Sequence, residues 1–242
     1  MIGLPQIRNV LRGFRPATQQ SDVPAFNTLS QPYLDLLWSL YRGESQIGLD
    51  EQPHQIETLS GVTQSQGMWI YDLCLKVQPK ATLEIGMACG FSTLYFLAAA
   101  ARTGAAHTAI DAFQLTHWHG IALRNARQAG AQVEFIEELS FRAAVKLAEA
   151  NRLFDVIFID GAHHFDDVLV DFTLLAPVCR VGGYVILDDL WMRGIKTAAA
   201  FIEKNRLDFE AVRTPIDRIA LFRKVGEDQR NWDHFELFAV AR

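Results

Sequence analysis

The spacing of apolar positions changes along the chain, and the changes mark its elements. Apolar runs of strand length occur at 81–85, 106–110, 132–136, 154–159 and 184–187. Between them apolar residues recur three and four apart, the spacing of one helical face. Phe91, Leu94, Tyr95 and Ala98 form such a stripe before Gly104, and Trp118, Ile121, Ala122 and Ala126 form the next before Gly130. Phe141, Ala144, Val145 and Ala148 follow before Asn151; Leu169, Phe172 and Ala176 lie ahead of Gly182 and Gly183. Strands alternating with helices predict an α/β fold, a parallel sheet covered on both faces and joined by right-handed crossovers. In residues 1–55 helical spacing shows at 33–41, where Leu34, Leu37, Trp38 and Tyr41 share a face. That region reads as an accessory helical segment and not as an independent domain.

Composition narrows this picture. The 242 residues are 50% hydrophobic and 21% charged, enough to bury one large core without disulfide or metal staples. A net charge of −5 and no visible basic stripe argue against a nucleic-acid partner. The cysteines, Cys74, Cys89 and Cys179, are odd in number and show no CxxC pattern. A disulfide framework or a zinc site is therefore not expected, and a reducing, cytoplasmic setting is. Arg8, Arg12 and Arg15 are not followed by an apolar stretch, so the N-terminus does not read as a secretory leader. The apolar helical stretch 94–101 is far short of the roughly 20 residues that span a bilayer, so no membrane partner is expected.

In a parallel sheet of this kind ligands sit beyond the carboxyl ends of the strands, so chemistry is sought there. The first strand runs into Gly86-Met87-Ala88-Cys89-Gly90 and then a helix. Glycines let the chain turn sharply and let a ligand approach the backbone. The spacing Glu84-x-Gly86-x-x-x-Gly90 is not the G-x-G-x-x-G of dinucleotide sites, which argues against a nicotinamide-dependent oxidoreductase. Asp111 ends the second strand, where an acid can accept both hydroxyls of a ribose; a helix cap or a solvated aspartate is the alternative. The fourth strand ends in Asp160-Gly161-Ala162-His163-His164 and the fifth in Asp188-Asp189. On neighbouring strands about 4.8 Å apart, Asp160, Asp188 and Asp189 would converge and raise each other's pKa. A hard divalent cation such as Mg²⁺ or Ca²⁺ relieves that repulsion. The alternative leaves Asp160 beside a cofactor and the pair capping a loop.

Leu83-Glu84-Ile85-Gly86-Met87-Ala88-Cys89-Gly90-Phe91-Ser92 resembles motif I of class I S-adenosylmethionine-dependent methyltransferases. The Cys-Gly-Phe-Ser portion is closest to small-molecule O-methyltransferases of the catechol O-methyltransferase type. The resemblance covers residues 56–225 and leaves 226–242 as a tail. It implies a Rossmann-like, mainly parallel sheet of seven strands, with 209–214 and 219–224 as the last two and the final one antiparallel. It implies S-adenosylmethionine as cofactor, held by Glu84, Gly86, Met87, Gly90, Ser92, Asp111 and Asp160. Ser140 and Phe141 match the adenine-binding segment, although Ser140 is equally placed to cap a helix. Thr63 to Gly67 resembles the family's entry segment, with Gln66 and Gly67 near the cofactor. Catechol-type members hold a metal with two aspartates and an asparagine; here Asp189 stands where the asparagine would be.

Asp160-Gly-Ala-His163 also resembles a branch acting on sugars and other natural products, in which that histidine is the proposed base. His163 and Asp160 are accordingly the expected catalytic pair, and an imidazole titrates in the range a base needs. His164 is expected on the surface. His117 and His119 are expected to flank a core Trp118 on a helix, and Trp191 and Met192 could wall an acceptor pocket. The function implied is methyl transfer to a hydroxyl of a small molecule with metal assistance. A metal-independent methyltransferase and a non-catalytic S-adenosylmethionine-binding protein remain as alternatives. Trp232, Phe235 and Phe238 in the tail could pack on the core or on a second subunit, which leaves a homodimer open.

Overall fold

The computed structural model describes residues 28–240. Its first elements are α1 (Gln31–Tyr41), β1 (Gln46–Ile47), β2 (Pro53–His54) and α2 (Gln64–Val77). The alternating core follows: β3 (Ala81–Ile85), α3 (Phe91–Thr103), β4 (Ala106–Ile110), α4 (Ile121–Gln128), β5 (Glu134–Ile136), α5 (Ser140–Glu149) and β6 (Phe154–Ile159). It closes with α6 (Phe165–Leu175), β7 (Cys179–Leu187), α7 (Arg193–Asn205), β8 (Phe209–Val212) and β9 (Ala220–Lys224). Seven strands form one sheet in the order β5-β4-β3-β6-β7-β9-β8. Strands β3 to β7 pair in parallel, and β9 is antiparallel to both β7 and β8. The expected Rossmann-like sheet with its antiparallel last strand is borne out. The strand order reverses direction between β3 and β6, which makes their carboxyl ends the switch point of the sheet.

Both faces of the central strands are covered, which is why those strands read as near-continuous apolar runs. Leu83, Ile85, Ile157, Ile159, Val185 and Leu187 pack against α5, α6 and α7. Val156, Phe158 and Ile186 face the other way, toward α1, α2 and α3. Leu37 and Leu40 of α1 are fully buried in that second layer, so the N-terminal helix shares the core of the sheet. Residues 1–27 lie outside the described residues, and with them the reading of Arg8, Arg12 and Arg15. None of the described helices is long and apolar enough to cross a membrane.

Several local expectations are corrected. In α1 the buried face is Tyr33, Leu36, Leu37 and Leu40, one step round from the predicted stripe, and Trp38 is half exposed. In α5 the buried residues are Ala143, Ala144 and Leu147, while Phe141 and Val145 stand exposed. Ala144 is common to the predicted stripe and the buried face, and Ala148 packs against the core; small alanines let the helix approach the sheet closely and turn Phe141 and Val145 outward. In α6 Phe172, and Ala176 just after it, are buried as expected, together with Val168, Asp171 and Leu175, while Leu169 is only partly buried. Trp118 is not helical: α4 begins at Ile121, after Gly120 in the left-handed region at φ 67°. Strand β7 starts at Cys179, five residues early, because Gly182 and Gly183 lie inside it and not in a loop. The pairing with β6 shifts register there, between Phe154 and Val156. A Cβ on Gly183 would sit 2.8 Å from the Asp155 carbonyl oxygen, so glycine permits the irregularity.

The small hairpin β1–β2 had no counterpart in the apolar pattern. At the other end of the chain, Phe235 and Phe238 pack around Phe201 of α7, with ring centroids 6.4 and 5.7 Å from it. Trp232 stays 98% exposed.

Candidate active site at the β3–β6 switch point

The glycine loop after β3 is shaped by its backbone. Gly86 and Gly90 have φ of 89° and 92°, and Ala88 between them has 44°. A Cβ on Gly86 would lie 2.3 Å from the Asp160 carbonyl oxygen, so the ends of β3 and β6 touch only because residue 86 has no side chain. Met87 and Ala88 donate their N–H groups to Asp111 Oδ2 at 3.0 and 3.1 Å, and Phe113 N–H donates to Oδ1 at 2.8 Å. Asp111 thus braces the loop from the next strand. Burial pushes its carboxyl up, and the three N–H donors pull it partly back.

Under the loop lies a buried polar chain. Thr93 Oγ1 donates to Glu84 Oε2 at 2.7 Å, His107 Nε2 stands 3.4 Å from the same oxygen, and Thr82 Oγ1 is 2.8 Å from His107 Nδ1. Glu84 Oε1 is buried without a partner, and so is Gln114 Oε1, although Gln114 Nε2 donates to the Ala88 carbonyl at 2.9 Å. Two orphaned acceptors around one loop suit a ligand that brings hydrogen-bond donors. Ser92 lies buried in the first turn of α3. Ser140 is the first residue of α5 and makes no capping bond; its hydroxyl serves Asp171 instead. Phe141 projects 43% exposed beside it.

The carboxylates do not gather as one triad. Successive strand residues point to opposite faces, and Asp188 continues the Ile186 side toward α2. There Gln66 Nε2 donates to Asp188 Oδ1 at 2.5 Å, and Asp189 N–H donates to the same oxygen at 2.8 Å. Gln66 is itself held by a capping box with Thr63 at the start of α2. Asp189 has left-handed backbone, φ 55°, which turns its carboxylate the other way. Its Oδ2 lies 3.0 Å from His163 Nε2, and that nitrogen lies 3.7 Å from Asp160 Oδ1. Its Oδ1 accepts from Trp191 Nε1 at 2.7 Å and from Arg218 at 2.9 Å.

One ligand atom each from Asp160, His163 and Asp189 lie within 4.8 Å of one another. His164 points elsewhere, paired with Asp167 at 3.0 Å on the surface.

The charges follow from this arrangement. The Asp160 and Asp189 carboxylates hold the His163 imidazole protonated, its pKa pushed up to about 10. Burial pushes Asp160 up to about 6 against the opposing pull of His163. Asp188 is raised well above the carboxylate range by burial and by the charges of Asp160 and Asp189. Burial also works against charge on Asp189, but His163, Trp191 and Arg218 outweigh it and hold that carboxyl below its ordinary value. Arg218, Gln114, Thr93 and His107 went unremarked in the sequence. Arg218 and Gln114 lie in loops without periodicity, and Thr93 and His107 carry no motif of their own.

A glycine loop at the switch point, an acid ending the next strand and a charged cluster ending β6 and β7 define a methyltransferase fold. Residues 83–190 match a family described as a methyltransferase domain, in line with the resemblance of the sequence motif. No curated protein matches the chain by sequence. Among solved structures it is similar to an SAH-bound methyltransferase from Podospora anserina, at 15% identity, with 82% of this chain and 89% of that one covered and a TM-score of 0.63. It is also similar to an O-methyltransferase from Bacillus cereus in complex with SAH, at 19% identity, 81% and 91% coverage and a TM-score of 0.59. A third is the O-methyltransferase TomG from Streptomyces achromogenes, involved in tomaymycin synthesis and in complex with SAM, at 17% identity, 81% and 91% coverage and a TM-score of 0.57.

Proposed function

We propose that the chain transfers a methyl group from S-adenosylmethionine to a hydroxyl of a small molecule. The observation that carries this reading is the Asp160–His163–Asp189 cluster standing directly against the Gly86 loop. Gly86, Met87, Gly90 and Ser92 would border the amino-acid end of the donor, Asp111 its ribose, and Ser140 and Phe141 its adenine. Glu84 and Asp160 would supply negative charge near the sulfonium, and the orphaned Glu84 Oε1 would take a donor hydrogen. The methyl carbon leaves sulfur for the acceptor oxygen as the O–H bond breaks, so the enzyme has to align the two in line and dispose of one proton. Asp160 and His163 are the residues placed to do that: the carboxylate takes the proton while the imidazolium offsets the charge building on oxygen.

In place of the His163 proton, the same three residues would hold a divalent ion, with the neutral imidazole as one ligand. Their donors converge, and two of them are carboxylates in a partly dry setting, so the set fits such an ion. Bound there, the ion would lower the pKa of the acceptor hydroxyl. Asp188, tied to Gln66, would support the cluster from behind.

The experiment incubates the protein with S-adenosylmethionine and a panel of phenols and sugars, with and without EDTA, and measures S-adenosylhomocysteine. Acceptor-dependent release is expected, with loss on chelation if the ion takes part. Tight cofactor binding with no release on any acceptor would favour the non-catalytic binding protein.

A further inference from the structure

A second cluster of ligating side chains lies outside the site described above. Asp50 sits in the turn of the β1–β2 hairpin, His54 follows in β2, and His119 comes from the crossing between β4 and α4. Both Asp50 carboxylate oxygens lie within hydrogen-bond reach of His54 Nε2, at 2.9 and 2.8 Å. His119 Nδ1 is 3.8 Å from Asp50 Oδ2. The two imidazoles are stacked, with centroids 3.6 Å apart and planes 6° from parallel. One donor atom from each residue lies within 4.8 Å of the other two.

The backbone builds this closeness. Leu49 N–H donates to the His119 carbonyl at 2.8 Å. A Cβ on Gly48 would stand 2.7 Å from that carbonyl oxygen, and one on Gly120 would stand 2.6 Å from the Leu49 side chain. His119 itself adopts φ 54°, where a residue with a side chain is uncommon. Two glycines and one left-handed histidine therefore bring the hairpin against the crossing loop at the point where the three donors meet.

We propose that Asp50, His54 and His119 form a metal site for a transition ion of the zinc, copper(II) or nickel class, separate from Asp160, His163 and Asp189. Each imidazole offers a ring nitrogen and the carboxylate between them offers an oxygen, so the three donors are of the kinds a transition ion takes. Two imidazoles and a carboxylate select borderline ions over Mg²⁺ or Ca²⁺. Ligand distances of about 2.0–2.2 Å require the rings to tilt out of their stack. Both histidines face solvent on one side, with side-chain exposures of 20% and 42%, so the tilt is open to them and water can complete the coordination. A bound ion would clamp the hairpin to the loop that begins at Asp111, and so stiffen the brace of the glycine loop.

The test uses the full chain carrying His163→Ala, which removes the imidazole of the other cluster. Titrated with Cu²⁺ and followed by electron paramagnetic resonance, it is expected to show one site with coupling to two nitrogens. Adding His54→Gln, or His119→Asn, which tolerates left-handed backbone, should abolish the two-nitrogen signal and weaken Zn²⁺ binding at least tenfold by calorimetry. Absence of the signal in His163→Ala, or its survival in the double variants, overturns the proposal. Should His119→Asn not fold, the His54→Gln result decides alone.

Discussion

Gly86→Ala tests the junction on which the active site is built. Two costs follow from the geometry there. At φ 89° an alanine occupies the left-handed side of the backbone map, at about 1–2 kcal/mol. Its methyl would also stand 2.3 Å from the Asp160 carbonyl oxygen and 2.9 Å from the carbonyl carbon. Ordinary contact would be restored only if the end of β6 retreated by about 1 Å, and overpacking of this kind costs roughly 1–3 kcal/mol. Gly104 supplies the control, because it has φ 77° and a methyl added there would meet nothing within 4 Å. Gly104→Ala therefore carries the first cost without the second.

For a chain of this length 1 kcal/mol moves the midpoint by about 2–4 °C, so Gly86→Ala should melt several degrees below Gly104→Ala. The retreat displaces Asp160 relative to the loop, and a 1 Å misplacement at a reacting centre costs on the order of 10²-fold in rate. Calorimetric unfolding, S-adenosylhomocysteine affinity and turnover are the assays. If the two alanine variants agree in stability to within about 0.5 kcal/mol and in ligand affinity, the β3–β6 contact does not shape the site.

Two further predictions concern buried acids. Asp171 is raised from 3.8 to about 6 chiefly by burial, so its ionised form is penalised in the fold. Stability from the neutral form is fully present below about pH 4 and is lost as pH rises through 6, a span of roughly 3 kcal/mol. Asp171→Asn does not titrate, so its stability relative to the native chain should rise between pH 4 and 6 and then level off. Thermal unfolding curves that stay parallel across that range would contradict this. Gln66→Leu removes the donor to Asp188 and one half of the capping box. A loss of about 2–4 kcal/mol is expected, and equal denaturant midpoints for variant and native chain would show that Asp188 does not depend on Gln66.

The alternation of strands and helices was legible because β3, β4 and β6 are buried on both faces and are mainly apolar, interrupted only by Thr82, Glu84, His107, Thr108 and Asp155. The glycine loop and Asp160 were legible because they follow those strands directly. Helix faces were less so: the same apolar residues in α1 allow two overlapping stripes, and α5 buries its alanines and not its phenylalanine. The hairpin β1–β2 has two-residue strands, too short for any period to show.

Local features follow from the sequence alone: which segments are strands, where the chain turns on glycine, and which acids stand at strand ends. What those acids face is settled by the way the chain closes on itself. Asp188 meets Gln66 across 122 residues, and Asp189 meets Arg218 across 29. His54 and His119 stack although 65 positions separate them in the sequence. Such pairings depend on how helices and loops close over the sheet, and no spacing along the chain encodes them. The sequence placed Asp188 and Asp189 side by side; strand alternation and one left-handed residue turned them toward different partners.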